Sequence, residues 1–208
     1  TELQEEGFVP EVTASDIHIE GVTGEVTIGG TITDSDGNNR FWFFRLPDIG
    51  FDEDLDNFEE FDVSFGFFGA TLNAFTVLDN GDIIAVGSSG DDPKTRLSAL
   101  ARVSKNGLVL AKQTFNLSTG GDELVDVALD SKGNVLAAGD IFLADGPGFL
   151  FKGIIARFNA NSLDLDTSFG VAGKVITENP SDINLGFRAL GLDSQDRPVR
   201  RGNAASAP

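Results

Sequence analysis

The 208-residue sequence predicts an all-β chain of β-propeller type, with four-stranded antiparallel blades: three complete and a partial one at each end. Three observations predict it. A glycine, five mostly apolar residues and a second glycine recur as GEVTIGG (Gly24 to Gly30), GDIIAVG (Gly81 to Gly87), GNVLAAG (Gly133 to Gly139) and a degraded DRPVRRG (Asp196 to Gly202). The copies end 57, 52 and 63 residues apart, a period that marks stacked or radially arranged supersecondary units. Within each period four short alternating runs are separated by Gly, Asp and Asn, and no helical periodicity is sustained, which is the pattern of a propeller blade.

Taken in order, the first copy places strands at Asp16 to Glu20, Glu25 to Ile32 and Arg40 to Arg45, with a weak fourth near Gly69 to Leu72. The second has Leu72 to Leu78, Asp82 to Ser88, Ser98 to Val103 and Leu108 to Phe115. In the third, Leu124 to Leu129 and Asn134 to Gly139 flank the turn Asp130-Ser-Lys-Gly133, a hairpin by its turn chemistry. Gly153 to Phe158 and Gly173 to Thr177 complete it. One domain follows, with repeats at about 16–72, 72–123 and 124–186 and a partial one at 187–208. GFVPEVTASD (Gly7 to Asp16) aligns with GKVITENPSD (Gly173 to Asp182), so the N-terminal residues are read as the last strand of a preceding blade. Pro198, Arg200 and Arg201 interrupt the final copy; proline cannot donate to a central ladder, so a truncated or altered repeat is expected there.

Two columns tighten the register. The third strand ends in arginine at Arg45, Arg102 and Arg157, and the next connection carries DVSFGFFG (Asp62 to Gly69) and DTSFGVAG (Asp166 to Gly173). The spacing suggests an Arg–carboxylate clamp from each third strand to its following loop, with Phe65 and Phe169 seating that loop. LDTSFGVAGKV (Leu165 to Val175), IIARFNANS (Ile154 to Ser162) and LDSKGNVLAAG (Leu129 to Gly139) resemble the delta-60 repeat of bacterial proteins. That resemblance implies propeller blades in an exported or surface protein: extracellular, at the cell surface or in the periplasm. It implies no particular activity.

Composition excludes several functions. Apolar content of 40% and charged content of 23% suit a folded chain, and no apolar run reaches membrane-spanning length. Cysteine is absent, which removes disulfides, thiolate catalysis and cysteine-type zinc sites. The net charge is −18, of which residues 1–66 carry −15. Such a field repels phosphate backbones and anionic lipid, so neither nucleic acid nor membrane insertion is expected.

The same field attracts cations. Asp34, Asp36 and Asn38 alternate around Gly37, and Asp52, Asp54 and Asp56 copy the opening of a calcium loop, so Ca²⁺ is the candidate cofactor at both. The alternatives are an Asx-type hairpin turn for the first and a solvated acidic loop for the second. Phe41-Trp42-Phe43-Phe44 sends alternate rings to opposite faces of a strand, which reads as core; a sugar-stacking platform needs Trp42 exposed. A single histidine, His18, and no Gly-x-Ser-x-Gly elbow give nucleophilic catalysis no support. A non-catalytic scaffold or binding module is therefore expected, with a protein or glycan partner and open blade edges available for self-association. A calcium-dependent adhesin and a glycan-acting enzyme are the alternatives.

Overall fold

The computed structural model describes residues 10–46, 58–66, 69–143, 150–177 and 184–205, and all regular structure among them is β. The first blade orders β1 (Glu11–Ile19), β2 (Val26–Thr33), β3 (Asn39–Leu46) and β4 (Glu59–Val63) side by side, each antiparallel to the next. The second repeats this with β5 (Ala70–Val77), β6 (Ile83–Ser89), β7 (Leu97–Val103) and β8 (Val109–Phe115). The third has β9 (Asp122–Leu129), β10 (Val135–Leu143), β11 (Leu150–Phe158) and the short β12 (Lys174–Ile176). A hairpin of β13 (Asn184–Leu192) and β14 (Pro198–Ala205) follows, joined to β11 by one parallel bridge, Lys152 to Leu185.

The predicted blades are present, with three differences. The fourth strand of the first blade is Glu59–Val63, and residues 70–72 open the second blade instead. Residues 11–16 belong to β1, the first strand of the first blade, so among the described residues no strand of a preceding blade occurs. Pro198 does not break the last strand: it begins β14, opposite Leu192, where β14 has β13 as its one partner and a missing N–H costs little.

The recurring second glycine has a steric cause. Each first strand carries a β-bulge, with Ser15, Asn73, Val125 and Arg188 as the unpaired extra residue. The glycine lies across from the residue just before that bulge. A Cβ on Gly30, Gly87 or Gly139 would stand 2.0, 1.9 and 1.9 Å from the carbonyl oxygens of Thr13, Thr71 and Glu123. The partner backbone occupies the space of a side chain, so only glycine fits.

Between the blades lie three apolar layers. Phe41 and Phe43 of the first blade pack on Ile83, Ala85, Ala99 and Ala101 of the second. Ile84, Val86 and Leu100 pack on Val135, Ile154 and Ala156 of the third. Leu136, Ala138 and Ile155 then receive Phe187 of the final hairpin. Phe41 and Phe43 thus face mostly alanines across the first layer, which lets the sheets approach closely.

Candidate binding cleft

Each blade is stitched to the next by side chains at equivalent repeat positions. At the bulge, the Ser15 hydroxyl donates to the Leu72 carbonyl at 2.8 Å and the Asn73 amide to the Leu124 carbonyl at 2.7 Å. One residue on, the Asp16 and Asp126 carboxylates accept from the backbone N–H groups of Phe75 (3.0 Å) and Leu190 (2.6 Å). After the second glycine, the Thr31 hydroxyl accepts from Leu72 N–H at 3.1 Å, and Asp140 accepts from Phe187 N–H at 2.7 Å.

The arginine column does the same at the far end of the strands. Arg45 donates to the Lys105 carbonyl and Arg102 to the Ala160 carbonyl, each in a turn of the following blade. Their carboxylate partners are the residues just after the first glycine of the repeat, Glu25 at 2.9 Å and Asp82 at 2.6 Å. The expected clamp onto the Asp-x-Ser-Phe-Gly loop forms at Arg157 alone, 2.8 Å from Asp166 with its guanidinium 4.9 Å from the Phe169 ring centroid. Asn134 stands after the glycine in that copy and offers no charge, so Arg157 turns to the loop. Asp62 pairs instead with Arg40 at 3.1 Å, and Phe65 packs on Phe41 with ring centroids 4.9 Å apart.

The turn at Asp34 to Asn38 has its oxygens engaged. Asp34 accepts from the backbone N–H groups of Asp36 (3.0 Å) and Asn38 (2.8 Å) and pairs with Arg40 at 2.7 Å. These bonds, the one from Asn38 first, hold its carboxyl below the ordinary range. Asp130 and Asp193 make the same backbone contacts in their own turns. Among the described residues no group of three or more His, Cys, Asp or Glu side chains could hold a metal ion. Asp52, Asp54 and Asp56 lie outside the described residues.

Trp42 and Phe44 are half-buried on the face of β3 opposite Phe41 and Phe43, with ring centroids 6.0 Å apart. The Trp42 indole N–H donates to Glu60.

A cleft of about 470 Å³ opens where the second blade, the third blade and the final hairpin meet. Arg96 reaches it from the turn before β7, Asp122 and Glu123 from the start of β9, Asp140 and Phe142 from β10, and Arg188 from the bulge of β13. Arg96 pairs with Glu123, and Arg188 with Asp140 at 3.0 Å. Asp122 is buried and accepts from the N–H groups of Ser98 and Leu117, both at 2.8 Å. Burial pushes the carboxyls of Asp122 and Asp140 above their ordinary range, against the pull of these N–H groups and, at Asp140, of Arg188. The Arg96 Nε is buried and has no hydrogen-bond partner among the described residues. One sequence signal pointed here: Asp140 places a charge after the second glycine, where Thr31 and Ser88 carry hydroxyls.

The titration of Asp126 has a measurable consequence. Burial raises its pKa, the N–H groups of Leu190 and Val127 lower it, and the charge of Asp16 adds to the rise. A carboxyl with a raised folded-state pKa takes its proton earlier in the folded than in the unfolded chain. Its contribution to stability therefore grows as pH falls through the folded value and levels off below the unfolded one. Asp126→Asn removes this dependence. As pH falls from neutrality to the ordinary aspartate range, the melting temperature of the wild type is expected to rise relative to the variant; a constant difference over that whole span would refute the assignment.

Fold and cleft together define a β-propeller-type repeat chain with a charged, ring-lined cavity between blades. No family model matches the chain, and no curated protein matches it.

Proposed function

We propose that this chain is a non-catalytic binding module, part of an exported or cell-surface protein, which takes a small hydroxylated ligand of sugar type in the inter-blade cleft. One observation carries the reading: Arg96 and Arg188 converge on a cavity of ligand size beside the Phe142 ring, and the buried Arg96 Nε has no acceptor among the described residues. Small-ligand sites combine apolar walls with a few placed polar groups, and an orphaned donor gains its bond when a ligand oxygen arrives. The buried carboxylates support binding over catalysis, because Asp122 and Asp140 are engaged by backbone N–H groups that hold neighbouring segments together. The exported setting rests on the delta-60 resemblance.

The raised pKa values of Asp122 and Asp140 favour a second reading, a carboxylate pair acting on a glycosidic bond. A panel of neutral and acidic oligosaccharides separates the two. Binding is expected to raise the melting temperature by linkage, with the sugar recovered intact. Arg188→Ala and Glu123→Gln should each weaken it about tenfold or more, the cost of a charge-assisted hydrogen bond. Hydrolysis abolished by Asp140→Asn would establish the enzyme, and no shift with any sugar would refute both readings.

A further inference from the structure

The first blade presents a face that every other blade keeps covered. Ile17 is 59% exposed, although its equivalents Phe75 and Val127 in the next two blades are 6% and 7% exposed, and Ile19, 63% exposed, matches Val77 and Leu129, which are both partly buried. Trp42 and Phe44 occupy the repeat positions of Ala99 and Ala101, which lie fully buried beneath the preceding blade. Phe58, 48% exposed, stacks on Phe44 with centroids 4.9 Å apart and extends the same aromatic surface. Among the described residues nothing packs on this face.

Among the described residues the far face of the final hairpin is uncovered as well. Val199 of β14 stands where Ile84 and Leu136 stand in the second and third blades. Those two are buried by the blade that follows, whereas Val199 is 58% exposed. The two ends differ sharply in charge. Glu60 and Asp62, both exposed, stand opposite Phe44 and Trp42 on the first face, whereas Arg197, its side chain 72% exposed, precedes Val199 by two residues on the other.

We propose that the acidic face of the first blade receives the basic face of the final hairpin from a second copy of this chain, head to tail. Three things support it. Repeat position assigns the first-blade face to the outgoing face of a blade, which is what β13 and β14 present. Charge favours unlike ends, since two first-blade faces brought together would repel. Size matches as well: the rings of the first blade meet Ala189, Gly191 and Val199, the reverse of Phe41 and Phe43 meeting alanines in the first layer. A contact between two different patches is heterologous, so it propagates into a row or closes into a ring.

Analytical ultracentrifugation of the full chain tests this. The average mass is expected to climb above 22.0 kDa with concentration at low salt, and to fall back as salt screens the ends. A double variant Ile17→Asp/Ile19→Asp spoils one face, and Arg197→Glu/Val199→Asp spoils the other; circular dichroism checks that each folds. Each is expected to stay monomeric alone, and an equimolar mixture to form a dimer through the one intact face on each. A wild type monomeric at every concentration overturns the proposal, as does association that survives in both variants. A mixture that remains monomeric also overturns it, because like faces would then be pairing. Should either double variant fail to fold, Val199→Asp alone keeps the question open to measurement: unchanged wild-type association in that variant overturns the head-to-tail contact.

Discussion

Gly87→Ala is expected to destabilise the chain by about 3 kcal/mol or more, the upper range of overpacking effects. The added Cβ would meet the Thr71 carbonyl oxygen at 1.9 Å and the Leu72 Cα at 3.1 Å, both backbone atoms. Neither can withdraw without undoing the bulge, and the bulge positions Asn73 to hold the third blade. Gly133→Ala is the control. That glycine has φ +77° in its turn, with nothing within 4 Å of its Cβ position. Only the left-handed backbone penalty of about 1–2 kcal/mol applies there. For a chain of this size 3 kcal/mol lowers the melting temperature by roughly 10 °C. Equal losses at the two glycines in urea unfolding would refute the bulge explanation.

Arg102→Met is expected to cost about 3–5 kcal/mol, the usual result of removing one partner from a buried ion pair. Arg102 and Asp82 have side chains 13% and 8% exposed. Burial tends to raise the Asp82 pKa, but hydrogen bonds from Arg102 and Asn80 outweigh it and hold the group below its ordinary value. Its contribution is thus present near neutrality and fades as pH falls through the depressed folded value. Removing Arg102 strands that carboxylate and also frees the Ala160 carbonyl. The double variant Asp82→Asn/Arg102→Met should recover part of the loss, since no buried charge is left alone. Arg157→Met, in the same column, should cost only about 0–1 kcal/mol, because its pair with Asp166 is 24% and 28% exposed. Similar losses at Arg102 and Arg157 would show that the column acts through packing alone.

The blades were legible because hairpins leave local marks: an apolar run, an Asp-x-x-Gly turn and a second run. The first-blade edge strand was not. Glu59, Glu60 and Asp62 place acid along it, and that is how an exposed edge avoids pairing with another chain; in sequence it looks like loop. The repeated glycine was visible but its reason was not, since a bulge is an event of register and leaves no side-chain signature. The arginine column was visible too, but its partners were sought in the following loop and found after the turn glycine at Glu25 and Asp82. The cleft was hardest to foresee. Arg96, Glu123, Asp140 and Arg188 come from two blades and the final hairpin, and no spacing along the chain announces that they meet.

The stitching of each blade to the next also governs how the molecule comes apart. Every substantial contact between blades joins consecutive ones, such as β2 with β5, β6 with β9 and β10 with β13. Stability then behaves as a sum of blade terms and nearest-neighbour terms, as in a one-dimensional array. The β13–β14 hairpin shares a single backbone bridge with the third blade and is otherwise held by the layer around Phe187 and by the side chains of Asp126 and Asp140. Its amides should exchange with solvent through a local opening that leaves the second and third blades intact, making it the least protected cooperative unit. Folding can begin in those central blades and spread outward, so the two outer faces belong to the units that form last.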